Sequence, residues 1–191
     1  MEKKNGAAQS LAMLVCAIMI FSAVCIGGYR YVASERANVL EYYVSGDGTQ
    51  QDLGIRYLLE KRIGEANNLL TVASRYIATS DSAYADVANA VAALENEDNP
   101  NKAYTYNNTL TSSCDTLTAK LSGYALSEKD AQYLSEIKTN MTSYNMQAEH
   151  CVYNEKAAVF NEQVLGRFPT GTIAQLLGIK SLSLFGEDTL L

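Results

Sequence analysis

An uncharged run from Asn5 to Tyr29, with a dense apolar centre from Leu11 to Ile26 (LAMLVCAIMIFSAVCI), constrains this chain more than any other feature. At about 1.5 Å per residue, roughly 20 such residues cross the hydrocarbon core of a bilayer as a helix. The run is therefore read as a transmembrane helix over residues 11–29, preceded by a short tail over residues 1–10. Tyr29 and Tyr31 flank Arg30 where headgroups would lie, as an aromatic and cationic anchor does. A cleaved signal peptide is the competing reading, with Lys3 and Lys4 as its basic end. Its apolar core is long for that role, and no Ala-x-Ala pattern follows. A lipoprotein is disfavoured because Val24 precedes Cys25, where a small residue is expected. For orientation, Lys3 and Lys4 stand against Arg30 and Arg36, nearly a tie. The short basic tail tips the expectation towards a cytoplasmic N-terminus, with the domain outside.

Beyond that run, 191 residues leave room for one further domain with a real core. Pro100 and Pro169 are the only prolines, so long stretches are free of the strongest helix breaker. The expected fold is all-α: a transmembrane helix followed by an elongated antiparallel helical bundle over residues 30–191. The first helix should continue through Val32, Arg36, Leu40 and Tyr43 and stop at Ser45-Gly46-Asp47-Gly48. A second should run from about Gln51 to Ile77, with Ile55, Leu59, Ile63, Ala66, Leu70, Ala73 and Ile77 as one stripe. Ser80-Asp81-Ser82 offers N-caps for a third, and Asn96 to Asn101 reads as a turn. A fourth is expected from about Lys102 to Tyr124. Ser127 with Asp130 three residues later should cap a fifth that runs unbroken to about Leu165. After Gly166 and Pro169, Thr170 to Leu184 reads as a short apolar helical tail.

Charge narrows the function classes. Residues 1–30 carry a net +2, which leaves −8 on the rest of a chain whose total is −6. A domain this acidic repels phosphate backbones, so nucleic acid is excluded as a partner, and a polybasic membrane-surface role is disfavoured. His150 is the single histidine, so a carboxylate-bridged di-iron bundle cannot be built, and a helix-flank histidine is the better reading. Glu155 and Glu162 share a helix face, but a solvated charged face explains them better than acid and base work. Gly46-Asp47-Gly48 lacks what a phosphate loop requires. No catalytic, cofactor-binding or metal-ligating residue is expected, and no cofactor. A Cys114–Cys151 disulfide is disfavoured by an axial mismatch of about 20 Å in the expected hairpin. Both thiols read as small buried hydrophobes.

Asn154 and Asn161 stand out, because seven-residue spacing puts both on one helix stripe, with Asn140 and Gln147 continuing it backwards. An amide in mid-helix needs a reason. One reading is a polar ladder that binds a partner or sets register, as a buried Asn does in a coiled coil. The other is an amide that bonds backbone or a neighbouring helix within one subunit. Tyr153 and Phe160, one residue earlier in each case, read as core aromatics.

The stretch Tyr153-Asn154-Glu155-Lys156-Ala157-Ala158-Val159-Phe160-Asn161 resembles the paired Tyr-Asn motif of the LemA family. Arg167-Phe168-Pro169 and the following Leu177-Gly178-Ile179 are similar to that family's Phe-Pro turn and later Gly-Phe. Upstream, Leu59-Glu60-Lys61-Arg62, Asn68-Leu69-Leu70 and Tyr76 are similar to its basic step, Pro-Asn-Leu-Val and Gly-Tyr. Phe160 stands in place of the second Tyr, Asn67 of Pro, His150 of Arg and Ile179 of an aromatic. The resemblance implies structural roles for Asn68, Tyr76, Tyr153, Asn154, Phe160, Asn161, Phe168 and Pro169. It also implies a membrane-attached bundle of the bacterial envelope with no defined activity. The expected function is structural or protein-interacting, with a sensor or accessory ectodomain acting through a separate membrane partner, such as an envelope protease, as the alternative. The expected partners are the membrane through the N-terminal helix, an unidentified protein and a second copy of the chain.

Overall fold

The computed structural model describes residues 2–48 and 53–186, and among these no strand occurs. Helix α1 spans Glu2–Ser45 without interruption. At about 1.5 Å per residue it is roughly 66 Å long. Its apolar half is exposed on every side: Leu11 is 63%, Ile18 56% and Ile26 62% exposed. Val32, Val39 and Tyr43 by contrast are buried, at spacings that place them on one helix face. Gly46 ends the helix with φ of +73°, and its N–H returns to the Tyr42 carbonyl.

The remaining helices are α2 (Ile55–Ala73), α3 (Ser82–Glu95), α4 (Pro100–Leu121), α5 (Glu128–Glu149), α6 (Tyr153–Val159) and α7 (Thr170–Leu176). A π-helical turn, Phe160–Leu165, follows α6 directly. The chain forms two compact units: Met1–Asn38 with Val159–Leu182, and Val39–Ala158 with Ser183–Leu191.

The larger unit is a helical bundle. Helix α2 packs against α5 and α3, and α3 packs against α4, whereas α4 and α5 barely meet. Leu58, Leu59, Ala66 and Leu69 of α2 form the core with Val87 and Leu94 of α3, Leu110 and Leu117 of α4, and Ile137 of α5. Each fully buried leucine stabilises the fold by about 1.5–3 kcal/mol. The caps are local. Asp81 accepts the Ala83 N–H, Asn99 accepts those of Asn101 and Lys102, and Ser127 accepts that of Asp130. Gly54, just before α2, lies so close to the end of α1 that a Cβ there would come within 2.2 Å of the Val44 carbonyl oxygen.

Several expected boundaries move. The start near Gln51 lies outside the described residues, and α2 ends at Ala73, followed by turns, not at Ile77. Helix α4 begins at Pro100, because proline at the first helical position costs no hydrogen bond. The expected fifth helix is not continuous. It breaks at His150 to Val152, where no glycine or proline marks the sequence. The break leaves the Cys151 thiol to bond the Leu53 carbonyl and turns Tyr153 into the core, 0% exposed. The expected C-terminal helix is also shorter. After α7 the chain turns at Gly178, φ +71°, and runs without helix to Gly186.

Candidate functional site

Arg62 sits in the middle of α2 on the buried stripe, between Leu58 and Leu59 below and Ala66 above. It is 1% exposed, whereas Ile63, expected in the core, is half-buried. Its guanidinium gathers acceptors from two other helices: Asn107 and Thr111 of α4 and Asn145 of α5. Asn107, fully buried, also donates to Asn145 Oδ1 at 2.8 Å. All three acceptors are neutral. The nearest carboxylate in the chain of bonds is Glu149, which accepts from Asn145 at 2.7 Å. Burial lowers the Arg62 pKa to about 10, partly offset by Cys114, Glu149 and Asp115, so the cation persists at neutral pH. Arg62 Nε is buried without a hydrogen-bond partner.

Because α4 and α5 barely touch, they leave a groove of about 560 Å³ floored by α2. Leu69, Cys114, Ile137, Met141 and Met146 make its apolar lining, and Arg62 and Asn145 contribute polar atoms to it. Burial pushes the Cys114 thiol up to about 12, so it is a protonated, unreactive small hydrophobe there. Asp115 and Lys138 are exposed and carry opposite charges along the lining.

A second polar centre ties the end of α2 to the start of α5. The Tyr76 hydroxyl donates to Asp130 Oδ2 at 2.6 Å and accepts the Ser127 N–H at 3.1 Å, while Arg75 pairs with Asp130 Oδ1. Ser127 and Asp130 bond each other reciprocally. Tyr76 and Ser127, donating to its carboxylate, hold Asp130 below the usual carboxylate range.

The two asparagines singled out by spacing act on the C-terminal segment, each within its own unit. Asn154 donates to the Phe185 carbonyl and accepts the Phe185 N–H, both at 2.8 Å. Asn161 does the same to Leu182, at 2.8 and 2.9 Å. Each amide thus pairs with one residue's N–H and C=O, as an antiparallel neighbouring strand would. The Tyr153 hydroxyl adds a bond to the Ser183 carbonyl at 2.7 Å, and its ring lies 5.1 Å from that of Tyr43. Phe185 meets Tyr104 edge-on at 5.3 Å. Asn140 and Gln147 belong to no such ladder: Asn140 bonds Glu65 and Gln147 bonds Ser143.

The other motif positions scatter. Asn68 is exposed beside Glu65, Phe160 is buried, Phe168 is 87% exposed, and Pro169 leads into α7. His150 caps the end of α5 in an exposed position, and Glu155 and Glu162 are exposed. Among the described residues no disulfide joins the cysteines; Cys151, expected in the core, is only half-buried. Among the described residues no group of three His, Cys, Asp or Glu could hold a metal ion. The Arg62 centre was missed by sequence reasoning, although its position on the α2 apolar stripe was a readable signal.

The family model of the LemA family matches residues 52–189. The chain belongs to the LemA family. That match covers α2 to α7 and both asparagine clamps, so Asn68, Tyr76, Tyr153, Asn154, Phe160, Asn161, Phe168 and Pro169 fall inside it. No curated protein matches this LemA-family chain.

Proposed function

We propose that this chain is a membrane-anchored helical-bundle protein of the bacterial cell envelope with a non-catalytic, structural or protein-interacting role. The single observation that carries the reading is α1. Its apolar half is exposed on every side, and the same unbroken helix continues to Val39 and Tyr43, which are buried in the bundle. Exposed leucine, isoleucine, methionine and phenylalanine from Leu11 to Ile26, over roughly four helical turns, are costly in water and favourable in hydrocarbon.

The groove between α4 and α5 is the surface we assign to a protein partner. Its size and helical lining suit the apolar face of a partner helix, which would pack against α4 and α5 while α2 supplies the floor. Alkaline extraction and targeted crosslinking test the two halves. The full chain should stay with the membrane, and an Ile18→Asp, Phe21→Asp variant should be released. A photoreactive residue at Met146 should give one discrete adduct that an equivalent residue at Tyr57 does not. Release of the full chain would reject the anchor. Identical crosslinking from both positions, or none from Met146, would reject the groove.

A further inference from the structure

Helix α7 is short and two-faced. Gly171, Ile173 and Ala174 are buried, whereas Leu176 is 70% and Leu177 45% exposed. Its buried side lies on α1: a Cβ built at Gly28 would come within 2.7 Å of Ile173 Cδ1. One turn further on, Leu177 lines a wholly apolar recess of about 250 Å³ with Cys25, Ile26 and Tyr29. The chain then turns at Gly178, and Ile179 and Lys180 line a second recess with Tyr29, Ala33 and Arg36.

These contacts give α7 a depth along α1. The apolar run from Leu11 to Ile26 is roughly 24 Å long, against about 30 Å for a hydrocarbon core, so Cys25 to Tyr29 lie where the core gives way to headgroups. We infer that the C-terminal end of α7 is a second bilayer contact, with Leu176 and Leu177 inserted into the lipid beside the exit of α1. Polarity changes in step on both segments. Leu177 lies beside Cys25, Ile26 and Tyr29, and Lys180 lies beside Tyr29, Ala33 and Arg36, the last about three turns further from the membrane centre than Cys25 and Ile26. Apolar side chains below a cationic layer with Tyr29 between them match the order of acyl chains, interface and phosphates. The inference rests on the reading of α1 as a membrane span, which by itself would leave α7 in water.

The chain contains no tryptophan, so one introduced indole reports one place. Full-length Leu176→Trp, Phe21→Trp and Tyr124→Trp would be reconstituted separately into vesicles whose acyl chains carry bromine near the glycerol end or near the bilayer centre. Leu176→Trp should emit at shorter wavelength than Tyr124→Trp and lose most of its emission to the shallow bromines. Phe21→Trp should be quenched most by the deep ones, and Tyr124→Trp by neither. Leu177→Trp repeats the measurement if Leu176→Trp does not fold. Quenching of Phe21→Trp alone would overturn the inference and leave the anchor standing. Quenching of none of the three would overturn both.

Discussion

Two polar centres in the bundle hold charge in opposite ways. At Asp130 the charge lies at a helix N-terminus: Ser127 is three residues away, Tyr76 donates to it and Arg75 supplies a counter-ion. At Arg62 the charge lies in mid-helix, and its acceptors are neutral groups 45, 49 and 83 residues distant. Ser127 Oγ accepts the Asp130 N–H, a donor the start of α5 would otherwise leave unpaired, and donates in turn to the Asp130 carboxylate. A buried guanidinium stabilises nothing by itself; it makes one arrangement of α2, α4 and α5 far better than any that strands it. The first device caps α5 and ties its start to the end of α2, and the second selects the packing of α2 against α4 and α5.

The largest expected effect comes from breaking the Arg62 centre. Asn107→Ala removes a fully buried acceptor from a buried cation that keeps two others, and should cost about 3 kcal/mol in denaturant unfolding. A loss near that of a surface substitution would mean that water or Asn145 replaces the amide. Substituting Arg62→Met together with Asn107→Leu and Asn145→Leu should recover much of the loss, because apolar replacement of a buried polar set is often near neutral. Loosened packing, read as dye binding or poorly dispersed amide signals, would then separate stability from helix selection.

The asparagine clamps come next. Asn154→Ala and Asn161→Ala each leave one residue's N–H and C=O unpaired, and each should cost about 1–3 kcal/mol. Thermal unfolding of the full chain in detergent gives both measurements. Unchanged melting would show that water satisfies Phe185 equally well. At the Asp130 centre, Ser127→Ala should cost about 1 kcal/mol, the worth of an N-cap.

The smallest effect sharpens the contrast through pH. Asp130 titrates below its unfolded value, so its stabilisation is complete above about pH 4, the ordinary carboxylate range, and is lost as pH falls through the depressed folded value. Asp130→Asn should flatten part of the acid limb of the unfolding midpoint. An acid limb unchanged by that substitution would assign the protons elsewhere. The Arg62 centre should add no pH dependence between about pH 5 and 8, because that cation titrates only near 10.

Features that depend on neighbours in sequence were legible: the apolar run of α1, its stop at Gly46, the Asp81 and Ser127 caps, and the all-helical class. Each is decided within one or two turns, where spacing and side-chain chemistry leave a signature. The period of seven at Asn154 and Asn161 was also legible, but not its target, because Phe185 and Leu182 are 31 and 21 residues away. The break at His150 to Val152 carried no local sign. It exists because Tyr153 and Cys151 find partners across the bundle, and such contacts override the helix-forming tendency of the segment. Burial of Arg62 is the clearest division between the two levels. Its sequence position on the α2 stripe was fixed by helical period, but only α4 and α5, arriving from far along the chain, could supply the acceptors that make a buried cation tolerable.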